Sequence, residues 1–112
     1  MEFSDIEEGM VVRVKTLKQL KEYYHDDPYV MERLRAKRAW NDGEDFLEEI
    51  YAYCGCEVTV GSIDIFDNSF YAIAEKNPLL QNTLRAFWYK PQWVVPVDNA
   101  ADINIERLNE LI

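Results

Sequence analysis

Two thiols one residue apart, Cys54-Gly55-Cys56, and a single histidine, His25, are the side chains of this 112-residue chain closest to nucleophilic or metal chemistry. A disulfide between positions i and i+2 is strained, because the bridge needs Cα atoms about 5.5–6 Å apart with converging Cβ vectors. A structural zinc site needs about four ligands, and only His25 could join the two thiols without recruiting carboxylates. His25 sits in Tyr23-Tyr24-His25-Asp26-Asp27 and could serve a thiol as its base only if the fold brought them together. The plainer reading is a pair of reduced structural thiols near a helix end, and a histidine facing solvent at another. The chain holds no glycine-rich phosphate loop, no Gly-x-Ser-x-Gly elbow and no His-Glu-x-x-His pair. We therefore expect no catalytic residue, no metal and no cofactor.

Carboxylates are the more informative group. Asp42, Glu44, Asp45, Glu48 and Glu49 crowd one turn and the start of one helix, and Asp64 and Asp67 follow around a second turn. Acid–base catalysis needs environments that drive two pKa values apart, whereas a cluster this dense reads as a solvated face or a partner-binding one. The net charge is −9, and it is segregated. Residues 10–40 carry eight bases against four acids, while nine acids and no Lys or Arg lie between Arg38 and Lys76. Such segregation gives the molecule a positive and a negative side. The basic side includes Arg33, Arg35, Lys37 and Arg38, but the overall charge opposes direct binding of nucleic acid. Aromatic residues offer a rival surface. Trp88, Tyr89 and Trp93 lie close together, and alternation sends Trp88 to the face opposite Phe87 and Tyr89, so one aromatic can stand exposed where interface hot spots form.

The elements that must position these groups follow from local patterns. Met10, Val12 and Val14 are apolar and Arg13 and Lys15 basic over 10–15, the alternation of a half-buried strand. Thr16-x-x-Gln19 is a capping box that opens a helix with Leu17, Leu20 and Tyr24 on one side. Asp27-Pro28 supplies an N-cap and first turn for a second helix, expected to run to about Trp40. Asn41-Asp42-Gly43 is a turn, Asp45 opens a third short helix, and Gly55 suits the left-handed position after it. From Cys56 the pattern turns to β: a hairpin over 56–65 and 69–75, a loop at 77–82 with Leu79-Leu80, and an aromatic strand at 86–90. A tight turn at Pro91-Gln92-Trp93, a short strand at 94–97 and a helix over 104–112 complete the chain. No apolar run nears the roughly 20 residues that span a bilayer, and the acidic start is unlike a signal peptide, so no membrane contact and a cytoplasmic location are expected.

Glu8-Gly9-Met10-Val11-Val12-Arg13-Val14, the short helix before Gly55, the Val58-x-Val60 strand, the Phe70-Tyr71-Ala72-Ile73 strand, and Phe87-Trp88-Tyr89 with Trp93-Val94-Val95-Pro96-Val97 together resemble a small Src-homology-3-like barrel of bacteriophage and prophage proteins, akin to the mind-bomb-type repeat. They cover about half the chain. The resemblance implies a small, partly open antiparallel β-barrel, and the chain departs from it in a helical insertion at 17–41 after the first strand and in a C-terminal helix; the length fits one α+β domain over 1–112. It carries over no catalytic residue, and it implies a binding role for a mobile-element protein. The functional expectation is a protein-binding module, in its sharpest form an acidic inhibitor whose carboxylates occupy the cationic groove of a host nucleic-acid enzyme such as a CRISPR effector or another defence nuclease. The alternatives are an assembly protein of an oligomer and, behind it, a small thiol or hydrolytic enzyme.

Overall fold

The computed structural model describes residues 1–74 and 85–97. The chain runs β1 (Val11–Val14), α1 (Leu17–Tyr23), α2 (Pro28–Ala36), β2 (Trp40–Asn41), β3 (Asp45–Phe46), a 3-10 helix (Glu48–Tyr53), β4 (Glu57–Asp64), β5 (Ser69–Ala74), β6 (Arg85–Tyr89), a 3-10 turn (Pro91–Trp93) and β7 (Val94–Pro96). The expected loop at 77–82 with Leu79-Leu80 and the expected helix at 104–112 lie outside the described residues.

Five strands form one antiparallel sheet in the order β6-β5-β4-β1-β7, and β2 with β3 forms a separate two-stranded ribbon. The molecule is thus a mixed α+β fold. Its sheet is not a closed barrel, since β6 and β7 are the outer strands and do not pair with one another. Val12 and Val14 turn inward from β1, Val58 and Val60 from β4, Phe70 and Ala72 from β5, and Phe87 and Tyr89 from β6. Gly61 interrupts β4, where the register with β5 shifts between Val60 and Ser62. The inward side chains join Leu20, Tyr24, Val30, Leu34, Trp40, Phe46, Ile50, Tyr53 and Trp93 in one apolar cluster, so the insertion after β1 packs onto the inner face of the sheet.

Both helix starts form as their sequences require. Thr16 Oγ1 accepts from the Gln19 amide at 3.1 Å while Gln19 Oε1 accepts from the Thr16 amide at 2.9 Å, and Asp27 Oδ1 accepts from the Val30 amide at 3.1 Å with Pro28 next in line. The second helix stops earlier than expected. It ends at Ala36, with Lys37 left-handed at φ 52°. Its buried face is Val30 and Leu34, and another turn would bring Lys37 and Arg38 onto that face, where an unpaired charge is costly. Trp40 therefore belongs to β2 rather than to the helix. The third helix also differs from expectation: Asp45 and Phe46 pair with Asn41 and Trp40, and the helix that follows is 3-10. Ile50 and Tyr53, three residues apart, are its buried pair, as a three-residue period dictates.

Candidate functional site

Trp40 organises the centre of the insertion. Its ring stacks on Phe46 at 4.8 Å and meets the edges of Tyr24 at 5.0 Å and Trp93 at 5.5 Å. A chain of hydrogen bonds leaves this cluster for the surface. Trp93 Nε1 donates to the Tyr24 hydroxyl at 3.0 Å, which donates to Asp42 Oδ2 at 2.6 Å, and Gln92 Nε2 donates to the same oxygen at 3.0 Å. Burial, then the Asp42 carboxylate, holds the Tyr24 phenol well above its ordinary range. Asp42 is thereby a structural acceptor, not a free member of the acid run.

The remaining acids separate into two places. Glu44 and Asp45 line a cleft of about 200 Å³ together with Leu47, Ala86, Phe87 and Trp88. Asp45 also accepts from Asn41 Nδ2 at 2.8 Å, which fixes the rim. Trp88 stands 39% exposed on the outer face of β6, with Tyr71 beside it at 5.3 Å. The two surfaces that the sequence set up as rivals, acidic and aromatic, therefore meet in one cleft. Glu48 and Glu49 are exposed in the first turn of the 3-10 helix that follows. Asp64 and Asp67 lie at the β4–β5 turn, where Asp64 Oδ1 accepts from the Phe66 and Asp67 amides at 2.9 and 3.3 Å. Lys90 connects the two places: its ammonium donates to the Asp67 carbonyl, and its stem passes Gly43 so closely that a Cβ there would lie 3.1 Å from Cε.

Two aromatic candidates are corrected. Tyr89 and Trp93 are both 0% exposed. Tyr89 points inward because it alternates with Trp88, and Trp93 is drawn in by the bond to Tyr24, so neither can touch a partner. The basic alternative is spread out: Arg33 is half-buried with its guanidinium 5.3 Å from the Tyr29 ring, while Arg35, Lys37 and Arg38 are exposed around the end of α2. Missed by the sequence reading are Leu47, which lines the cleft, and the exposed pair Ile65 and Phe66. Two bulky apolar residues inside an Asp/Asn turn were the available signal.

The thiol groups are poor nucleophiles. Burial first, and then Cys56, pushes Cys54 up to about 12, and burial raises Cys56 as well, so both keep their protons at neutral pH. His25 is exposed, and its contacts are the Glu22 carbonyl and Asp26. Among the described residues, no three His, Cys, Asp or Glu side chains are grouped to hold a metal ion, and no helix is long and apolar enough to cross a membrane. Comparison with known proteins gives no match: no family model, no curated protein and no solved structure is similar to the chain.

Proposed function

We propose that this chain is a protein-binding module whose interface is the cleft between Trp88 and the acidic edge Glu44–Asp45. The observation that carries the reading is the meeting of an exposed tryptophan, Leu47 and two carboxylates in one concave site. An indole face with carboxylates around it favours a cationic partner, since aromatic rings attract cations and acids steer them. The fold we assign to this role is the Src-homology-3-like barrel in its open form. Its support is the strand order β6-β5-β4-β1-β7, an antiparallel sheet in which β7 returns beside β1. With the mobile-element resemblance and the net charge of −9, the concrete form is an accessory protein that occupies the cationic groove of a host nucleic-acid enzyme, such as a CRISPR effector or another defence nuclease.

Binding to a panel of purified defence nucleases, followed as an association rate at two salt concentrations, tests the proposal. Glu44→Lys with Asp45→Lys should slow association by about tenfold at low salt, and Trp88→Ala should speed dissociation by at least about tenfold, both without loss of fold. A nuclease that binds these variants as tightly as it binds the parent chain removes the cleft from the interface.

A further inference from the structure

The β4–β5 turn runs against the usual chemistry of turns. Gly, Pro, Asn, Asp and Ser dominate such positions, yet Ile65 and Phe66 occupy this tip at 70% and 92% exposure. Phe66 is the most exposed large apolar side chain among the described residues. A loose loop would explain exposure of this kind, but the tip is tied down from both sides. Asp64 Oδ1 accepts from the amides of Phe66 and Asp67. Asn68 takes the left-handed conformation at φ 52°, Lys90 donates to the Asp67 carbonyl, and the strands remain paired up to Asp64 and Ser69. Side chains carried on a backbone already fixed lose little further freedom on binding, which is the advantage of preorganisation.

We propose that Ile65 and Phe66 form a preformed anchor that enters an apolar pocket rimmed by Arg or Lys on a partner protein. The apolar pair defines the pocket floor, and the flanking charge defines its rim. Asp64 and Asp67 bracket the tip, and the whole chain carries −9. A basic rim complements these carboxylates. An anionic bilayer surface is repelled by the same charges, and so is a second copy of this chain. The anchor lies beside Lys90, two residues beyond Trp88, so one partner can reach both the cleft and the tip. The inference rests on the protein-binding reading above and deepens it, naming the residues that insert and the chemistry that receives them.

Photo-crosslinking separates this idea from its rivals. p-Benzoylphenylalanine is placed at position 66 in one variant and at position 88 in another, the host cells are irradiated, and adducts are mapped by mass spectrometry. The anchor predicts a position-66 adduct on a protein, at an apolar residue ringed by Arg or Lys. Against that purified partner, Phe66→Ser should bind at least about tenfold more weakly, and Asp67→Lys should also weaken binding, with melting temperatures unchanged for both. A lipid adduct at position 66, or Phe66-dependent sedimentation with phosphatidylcholine–phosphatidylglycerol vesicles, overturns the proposal in favour of a membrane. Adducts only to a second copy of the chain overturn it in favour of self-association. A partner adduct from position 88 with none from position 66 removes the anchor and leaves the binding module standing; no adduct at either position removes both.

Discussion

Two turns of this molecule look alike in sequence and act in opposite directions. Asn41-Asp42-Gly43-Glu44-Asp45 and Asp64-Ile65-Phe66-Asp67-Asn68 are both short, acidic and placed between strands. In the first, Asp42 reaches inward and takes hydrogen bonds from Tyr24 and Gln92. In the second, Asp64 folds back on its own backbone, and the apolar residues are left pointing out. One turn secures the core; the other stiffens a protrusion. Carboxylate density therefore says little about which acids meet a partner, because what each oxygen accepts decides its role.

Alkaline titration should give the largest effect, and it bears on the inward turn and the 3-10 helix after it, not on the protruding turn. The folded protein holds the protons of Cys54 (9.0 raised to about 12), Tyr51 (10.0 raised to about 12) and Tyr24 (raised) more tightly than the unfolded chain does. Their stabilising contribution is complete below about pH 9 and is lost as the pH climbs toward 12. Absorbance at 295 nm should show a late fraction of tyrosine ionisation in step with the loss of circular dichroism; phenols that all titrate near 10 with the fold intact would contradict this. The turn at 64–68 holds no Cys, Tyr, Lys or His and contributes nothing to that limb.

Asp42→Ala comes next. It strips a charged acceptor from the half-buried hydroxyl–amide network and should cost about 2 kcal/mol, lowering Tm by about 10 °C. Tyr24→Phe combined with Asp42→Ala should cost less than the sum of the single changes, since the two share one bond. Asp64→Ala removes a local cap comparable to a helix N-cap and should cost about 1 kcal/mol in urea denaturation. Phe66→Ser should change stability by less than about 0.5 kcal/mol. If Phe66→Ser proved as damaging as Asp42→Ala, the contrast between the turns would collapse.

Local signals were legible in the sequence, and signals that depend on distant packing were not. The Thr16–Gln19 box, the Asp27-Pro28 start, left-handed Gly55 and the β4–β5 hairpin each depend on a few neighbouring residues, and all appear where the pattern placed them. The end of α2 was missed because periodicity alone would carry it to Trp40, whereas another turn would bury the exposed charges of Lys37 and Arg38. Asp45 was read as a helix start because its pairing with Asn41 across the β2–β3 turn depends on Trp40 stacking on Phe46. At the site, alternation correctly separated Trp88 from Tyr89. Nothing short of the fold could bring Glu44 and Asp45 beside Trp88, about forty residues further on.

The return of β7 to β1 also sets a schedule. Val12 pairs with Pro96, and Trp93 bonds to Tyr24 from 69 positions away, so one edge of the first strand and the buried phenol wait for residues that a ribosome adds only much later. The β4–β5 hairpin closes across a handful of residues and can form while synthesis continues. Contacts between sequence-distant partners slow folding, because loop closure costs entropy before the contact repays it. In a nascent chain released after about residue 90, Trp93 and Gln92 would be missing and the Tyr24–Asp42 pair would lose both neighbours. Such a fragment should leave one edge of β1 and the Trp93-facing side of Trp40 open to the quality-control machinery of the cell.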